Sequence, residues 1–171
     1  HAAWVDRLTR SYEPYALTDR EHLAFARMRL DLDNIRAALG WSLEKGEIDR
    51  AVRIVGNLWA VWAFSAQASE GRRWIDRILP AMATVTIDPS DEWTFFHSAG
   101  MVAWSQGDAA LATERHLHAL AVARTLGDPA MQATSLQWLS QAAWYEGDYQ
   151  RMIDWATETL AFDKEVPNYA A

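Results

Sequence analysis

The fold expected is all-α: about nine helices in antiparallel pairs, roughly four hairpins, stacked into a right-handed superhelical arc. Three observations predict it. Turn signals recur about every twenty residues, at Gly46-Glu47, Ala66-Gln67, Asp88-Pro89-Ser90, Gly107-Asp108, Gly127-Asp128 and Gly147-Asp148, and a beat of twenty that pairs into about forty marks stacked helical hairpins. The segments between turns carry apolar residues at helical spacing, and none shows the sustained alternation of a strand. Half of the 171 residues are apolar, enough for a continuous core.

The elements follow in order. Ala3 to Arg10 and Asp19 to Leu30 read as two helices separated by Pro14, with Leu23, Ala26 and Leu30 tracing the stripe of the second. Asp33 is expected to cap a third helix, with Ile35, Ala38, Leu39 and Leu43 on one face and Gly46 ending it at C′. A fourth runs from Ile48 to Phe64 with Ala51, Ile54, Val55, Leu58 and Trp62 inward. The fifth starts near Ser69, an N-cap with Arg72 where a capping box wants Glu or Gln. It carries Trp74, Ile75, Ile78 and Leu79 and frays around Pro80. Thr84 to Ser90 is the longest break. Ser90 or Asp91 begins the sixth helix, through Phe95, Phe96, Ala99, Ala103 and Trp104 to Gln106, and the seventh runs from Asp108 to Leu126 with Leu111, Leu117, Leu120 and Ala123. Gly127-Asp128-Pro129 is a stop followed by a start, with Gly at C′, Asp at N-cap and Pro at N1. The eighth helix runs to Tyr145 and the ninth from Asp148 to about Asp163, with Pro167 ending order. Residues 1–45 thus form opening helices and 46–171 the hairpins of one continuous domain.

Superposing the turns gives the repeat. Gly107-Asp108-x-x-x-Ala112 stands over Gly147-Asp148-x-x-x-Met152 and Ala66-Gln67-x-x-x-Gly71. Leu120, Leu160 and Leu79 follow at one common offset, and Trp104, Trp144 and Ala63 precede at another. A helix of about fifteen residues cannot bury its apolar face alone, so each hairpin stacks on the next. Small residues at Gly71 and Ala112 let paired helices approach; Met152 departs from that pattern.

These Gly-Asp turns, the small residue after two of the three turns, and Ala119-Leu120 closing the second helix resemble tetratricopeptide repeats. The forty-residue spacing resembles the long variant in maltose-regulator-like sensor domains. A second stretch lies upstream: Asp33-Asn34-Ile35-Arg36-Ala37-Ala38-Leu39-Gly40-Trp41-Ser42-Leu43, then Leu58-Trp59-Ala60-Val61-Trp62 and Glu70-Gly71-Arg72-Arg73-Trp74-Ile75. It is similar to the segment that follows the nucleotide-binding and winged-helix domains of large bacterial ATPase regulators, the LuxR-type and antibiotic-regulatory transcription factors. His1-Ala2-Ala3-Trp4 resembles the first helix of that segment. The resemblance implies the sensor or scaffold arm of a switch, which receives an inducer or partner protein and helps hold an ATPase closed or open. The sequence itself contains no GxxxxGK[ST] loop and no basic recognition helix.

Arrays of this kind bind rather than catalyse, so the expectation is a non-enzymatic module without cofactor or metal. The net charge of −7 argues against direct nucleic-acid contact and against an anionic membrane surface. Without cysteine there is no disulfide framework or thiolate metal site. No apolar run approaches the length of a membrane span. The opening His1-Ala2-Ala3 suggests a fragment of a longer protein, and a cytoplasmic setting is the default expectation.

In stacked hairpins the first helix of each pair lines the concave face. That places Arg53, Ala60 and Phe64, then His97, Met101 and Trp104, then Gln137, Gln141, Trp144 and Tyr145 along a groove with amide rungs. Such a groove takes a protein, a peptide or a small apolar effector, because aromatic side chains anchor those contacts. The other reading, interhelix core, stays open for Trp104 and Trp144. His116 and His118 point to different sides of a helix, and His22 and His97 are isolated along the chain, so no metal site is expected. Arg72 and Arg73 are expected to be solvated or to pair with Asp76 and Glu70. For Arg36 beside Asp33 and Asn34, the resemblance to the regulator segment implies a lock at the junction between winged helix and repeats; the alternative is a buried cap and salt bridge. The alternative role for the whole chain is a scaffold, self-associating as a homodimer through the apolar ends of the array.

Overall fold

The structure, a computed structural model, describes residues 2–11, 21–160 and 162. Among them are nine helices and no strand: α1 Ala2–Arg10, α2 Glu21–Glu44, α3 Ile48–Asn57, α4 Trp59–Phe64, α5 Ala68–Met82, α6 Pro89–Ser105, α7 Ala109–Leu126, α8 Pro129–Glu146 and α9 Tyr149–Leu160. The chain is all-α, as expected. The expectations for Pro14, Asp19, Leu23, Asp163 and Pro167 lie outside the described residues or side chains.

The Gly-Asp turns show why the last four helices are so evenly spaced. Gly107, Gly127 and Gly147 adopt positive φ, which only a residue without Cβ reaches at no cost. The next amide then bonds back to Ala103, Ala123 or Ala143, satisfying carbonyls at the helix end. The same Asp turns its side chain to the following helix: Asp108 accepts from the Leu111 amide (3.2 Å), Asp128 from Met131 (2.9 Å) and Asp148 from Arg151 (3.1 Å). Two residues therefore end one helix and start the next.

Four boundaries differ from the sequence expectation. Asp33 caps nothing: α2 runs unbroken through it, and its carboxylate lies on the helix surface, 2.8 Å from Arg36. Nothing between Leu30 and Asn34 forces a stop, and Asn34 donates along the helix to Asp31, so local polar pairing replaces a cap. The expected fourth helix is split at Leu58, which leaves helical geometry (φ −101°, ψ 16°) and donates to the Val55 carbonyl three residues back. That carbonyl also accepts the Ser98 hydroxyl of α6 at 3.1 Å, and Gly56 touches the Phe95 backbone so closely that a Cβ would sit 3.2 Å from its nitrogen. Tight docking on α6 bends the helix there. Ser69 is not the cap of α5; Gln67 precedes that helix with no side-chain bond, and Pro80 sits inside its last turn without fraying it before Met82. Finally, α6 begins at Pro89 rather than at Ser90 or Asp91, with Asp88 as its cap and the Ser90 amide bonded to the Asp88 side chain at 2.9 Å.

Packing follows the order of the chain. α6, α7, α8 and α9 each pack chiefly on their sequence neighbour, while α3 and α4 lie against both α5 and α6, and α1 sits on α2 and α3. The largest apolar cluster is built around Ile35, Leu39, Ile54, Leu58, Trp62, Ile78 and Phe95; smaller ones hold Ala103, Ala112 and Ala142, and Leu120, Leu136 and Leu139. Gly71 lets α5 approach α4: a Cβ there would meet the Trp62 Cβ at 2.8 Å. Arg36 of α2 reaches α5 through a two-pronged pair with Glu70 (2.8 and 2.7 Å). That fork, with the Trp74 indole N–H at 3.3 Å, holds the Glu70 carboxyl below its usual range against the opposing effect of burial. Arg72 pairs with Asp76 (3.3 Å) and Asp108 (3.7 Å), not with Glu70. No helix among the described residues is long and apolar enough to cross a membrane.

Candidate functional site

The bend at Leu58 turns the short α4 across α6, and that bend starts an aromatic wall. Trp59 meets Phe64 edge to face at 6.0 Å, and Phe64 meets Trp104 of α6 at 6.4 Å. Trp104 then contacts Trp138 (5.3 Å) and Tyr145 (5.8 Å) of α8, and Tyr145 contacts Trp144 at 5.1 Å. All five contacts are steeply tilted, the geometry that sets a positive ring edge on a negative face. The wall crosses three helices. Phe64, Trp144 and Tyr145 leave 38%, 52% and 61% of their surface in solvent, an unusual outlay of apolar area for a small domain. Cavities of about 270 Å³, lined by Trp104, Ser105, Gly107, Ala109 and Tyr145, and about 220 Å³, lined by Ser140, Gln141, Trp144 and Met152, flank it.

Behind the wall lies a layer of imidazoles. His97 stacks on Trp93 with rings 5.2 Å apart and 2° from parallel, and meets the edge of Trp59 at 5.1 Å. His116 of α7 lies 5.6 Å from His97 and stacks on Trp138 at 6.3 Å. Both rings are buried. His97 Nδ1 and both nitrogens of His116 have no hydrogen-bond partner, so no hydrogen bond at these atoms stabilises a charge. Burial pushes His97 down to about 4, and burial together with the neighbouring His97 pushes His116 well below its ordinary 6.5. The pair is neutral at pH 7. No group of three or more metal-ligating side chains occurs among the described residues.

The residues picked out in the sequence divide into three sets. Phe64, Trp104, Trp144 and Tyr145 are in the wall, and Gln137 and Gln141 are exposed on α8. His97 and Met101 are buried beneath it. Arg53 is spent elsewhere, on Asp6 (3.2 Å), Asp49 (3.0 Å) and Asp91 (3.3 Å), joining α1, α3 and α6. His97 is not isolated: antiparallel packing of α6 on α7 sets it beside His116. His118 does point away, stacked on Phe96 with its Nε2 2.7 Å from Glu92. Trp59, Trp93 and Trp138 were missed. Trp138 was legible, because it stands seven residues before Tyr145, two helical turns along one face.

Over 142 residues, 80% of its length, the chain is 30% identical to proteins of Mycobacterium bovis and Mycobacterium tuberculosis that bear the name HTH-type transcriptional regulator. The likeness is to transcriptional regulators. The chain spans only 16% of the length of these relatives. No family model matches the chain.

Proposed function

We propose that this chain is a non-catalytic binding module of a bacterial transcriptional regulator, of the tetratricopeptide type that its turns resemble. The observation that supports this most is the aromatic wall from Trp59 to Trp144, half exposed at its α8 end, with Gln141 lining a cavity beside Trp144 and Gln137 exposed on the same helix. Exposed Trp and Tyr give large contact area at low entropic cost, and amide side chains satisfy a peptide backbone or a polar effector group. The partner is a protein segment, a peptide or a small apolar effector. The mechanism is a shift of population: the occupant prefers one curvature of the stack, and that preference biases the ATPase or DNA-binding region to which the module is joined. The test uses peptides selected from a displayed random library against the wild-type chain, with affinities then measured by calorimetry. Gln141→Ala with Trp144→Ala is expected to weaken them at least about tenfold, the effect of losing one anchor, with the circular dichroism unchanged. Unchanged affinity would place the binding surface elsewhere.

A second reading, a scaffold that self-associates, is favoured by α9. No described residue of that helix is buried, and Tyr149, Ile153 and Leu160 lie exposed on one face. If this face joins copies of the chain, Ile153→Glu with Leu160→Glu is expected to turn a dimer into a monomer in sedimentation velocity. A wild-type chain that is monomeric at about 100 µM, far above a specific dimer's dissociation constant, would remove this reading.

A further inference from the structure

Four turns of the chain use a positive-φ glycine, and the first of them differs from the other three. It reads Gly46-Glu47 where those read Gly-Asp, and it closes the preceding helix in the same way, with the Glu47 amide bonded to the Ser42 carbonyl at 2.8 Å. Yet Glu47 does not cap α3. The extra methylene carries its carboxylate to Arg50, one turn along, with which it pairs. The helix forgoes a side-chain cap, and an acid and a base are set side by side instead.

That pair forms one wall of a cavity of about 550 Å³ between α1, α2 and α3, whose other lining residues are Ala2, Ala3, Ala37, Ala38 and Trp41. Its size falls in the range of about 300–1,000 Å³ typical of small-molecule sites. Four methyl groups offer no polar partner. Trp41 is partly exposed, with the Arg50 guanidinium 5.8 Å from its ring centroid. Although the two side chains form an ion pair, the Arg50 Nε–H and the Glu47 Oε2 are both buried without a hydrogen-bond partner.

A simple anion would meet Glu47 here, and a simple cation would meet Arg50. Both charges are answered by a ligand that carries a carboxylate and an ammonium on one carbon together with an apolar group. We propose that this cavity binds a free α-amino acid with an apolar side chain. The carboxylate takes the Arg50 N–H groups, the ammonium takes Glu47, and the side chain rests on the alanines against Trp41. This site is separate from the aromatic wall and does not depend on it.

The experiment is calorimetric titration of the 171-residue chain with L-phenylalanine, N-acetyl-L-phenylalanine and L-phenylalaninamide. The zwitterion is expected to bind at least tenfold more tightly than either derivative. Glu47→Gln should erase the preference over the acetylated form, and Arg50→Gln the preference over the amide. Ala37→Leu, which fills the cavity without touching either charge, should abolish binding while the melting temperature holds. No binding of L-phenylalanine, equal affinity for all three compounds, or binding undiminished in Ala37→Leu would overturn the assignment.

Discussion

Lowering the pH from about 7 to 4 is expected to remove a large part of the stability of this chain, and the buried histidine pair is the reason. His97 and His116 are neutral in the folded state, with their folded pKa values depressed by burial; that of His97 is about 4. In the unfolded chain both titrate near 6.5. The unfolded state therefore binds more protons across this window, and stability rises with pH there. The contribution is fully present above about pH 6.5 and is lost as pH falls toward 4; for His97 alone it amounts to about 3 kcal/mol. Small domains hold only about 5–15 kcal/mol in total. Urea midpoints measured between pH 5 and 8 should fall steeply below pH 6.5. His97→Phe keeps a flat ring against Trp93 and removes one titration, so it should about halve the pH dependence near pH 6. A wild-type midpoint that is flat from pH 7 to 5 would show that the rings are solvated or paired in solution.

The same pair shows where reading the sequence stops. The Gly-Asp turns were legible because their chemistry is local: a positive-φ glycine and a capping carboxylate act within a few residues, whatever the rest of the fold does. Gly127-Asp128-Pro129 could hardly be read otherwise. Asp33 was misread for the complementary reason. An Asp is a cap only if the chain before it leaves helical geometry, and the residues from Leu30 to Asn34 do not. The split at Leu58 depends on α6, distant in sequence, whose Ser98 and Phe95 backbone engage Val55 and Gly56. No local pattern announces it, yet it turns Trp59 and Phe64 into the wall. His97 and His116 belong to different helices, so their meeting is a product of hairpin packing. Trp104 and Tyr145, whose side chains project far from their helices, meet in the aromatic wall, whereas the Arg53 guanidinium has three carboxylates within reach and is taken up by them.

Gly100→Ala is expected to destabilise the chain although it should improve the helix. Alanine in place of glycine within an exposed helix interior gains about 1 kcal/mol. Here Gly100 is the point at which α6 admits the His116 ring. A Cβ would sit 2.5 Å from Nε2, 2.6 Å from Cε1 and 2.7 Å from Cδ2. The ring has nowhere to go. It is fully buried, with Trp138 stacked on one side and His97 close by. The added methyl must therefore push α6 away from α7 or drive the imidazole into Trp138, and overpacking of this kind costs about 1–3 kcal/mol. Since the contact is far inside van der Waals distance and the ring cannot turn away, the upper end applies. The net loss expected is about 2 kcal/mol once the helix gain is counted. Coupling identifies the cause. His116→Ala leaves a cavity of its own, but in that background the Gly100→Ala methyl has room. The double variant should then be more stable than the sum of the two single effects predicts, by about 1–3 kcal/mol, as contacting residues show. Additive losses would mean that His116 does not occupy the space beside Gly100, and the wall above it would lose its support. A coupled result would tie groove and core together: the layer that sets Trp138 at its angle to Trp104 is held by one missing side chain on α6.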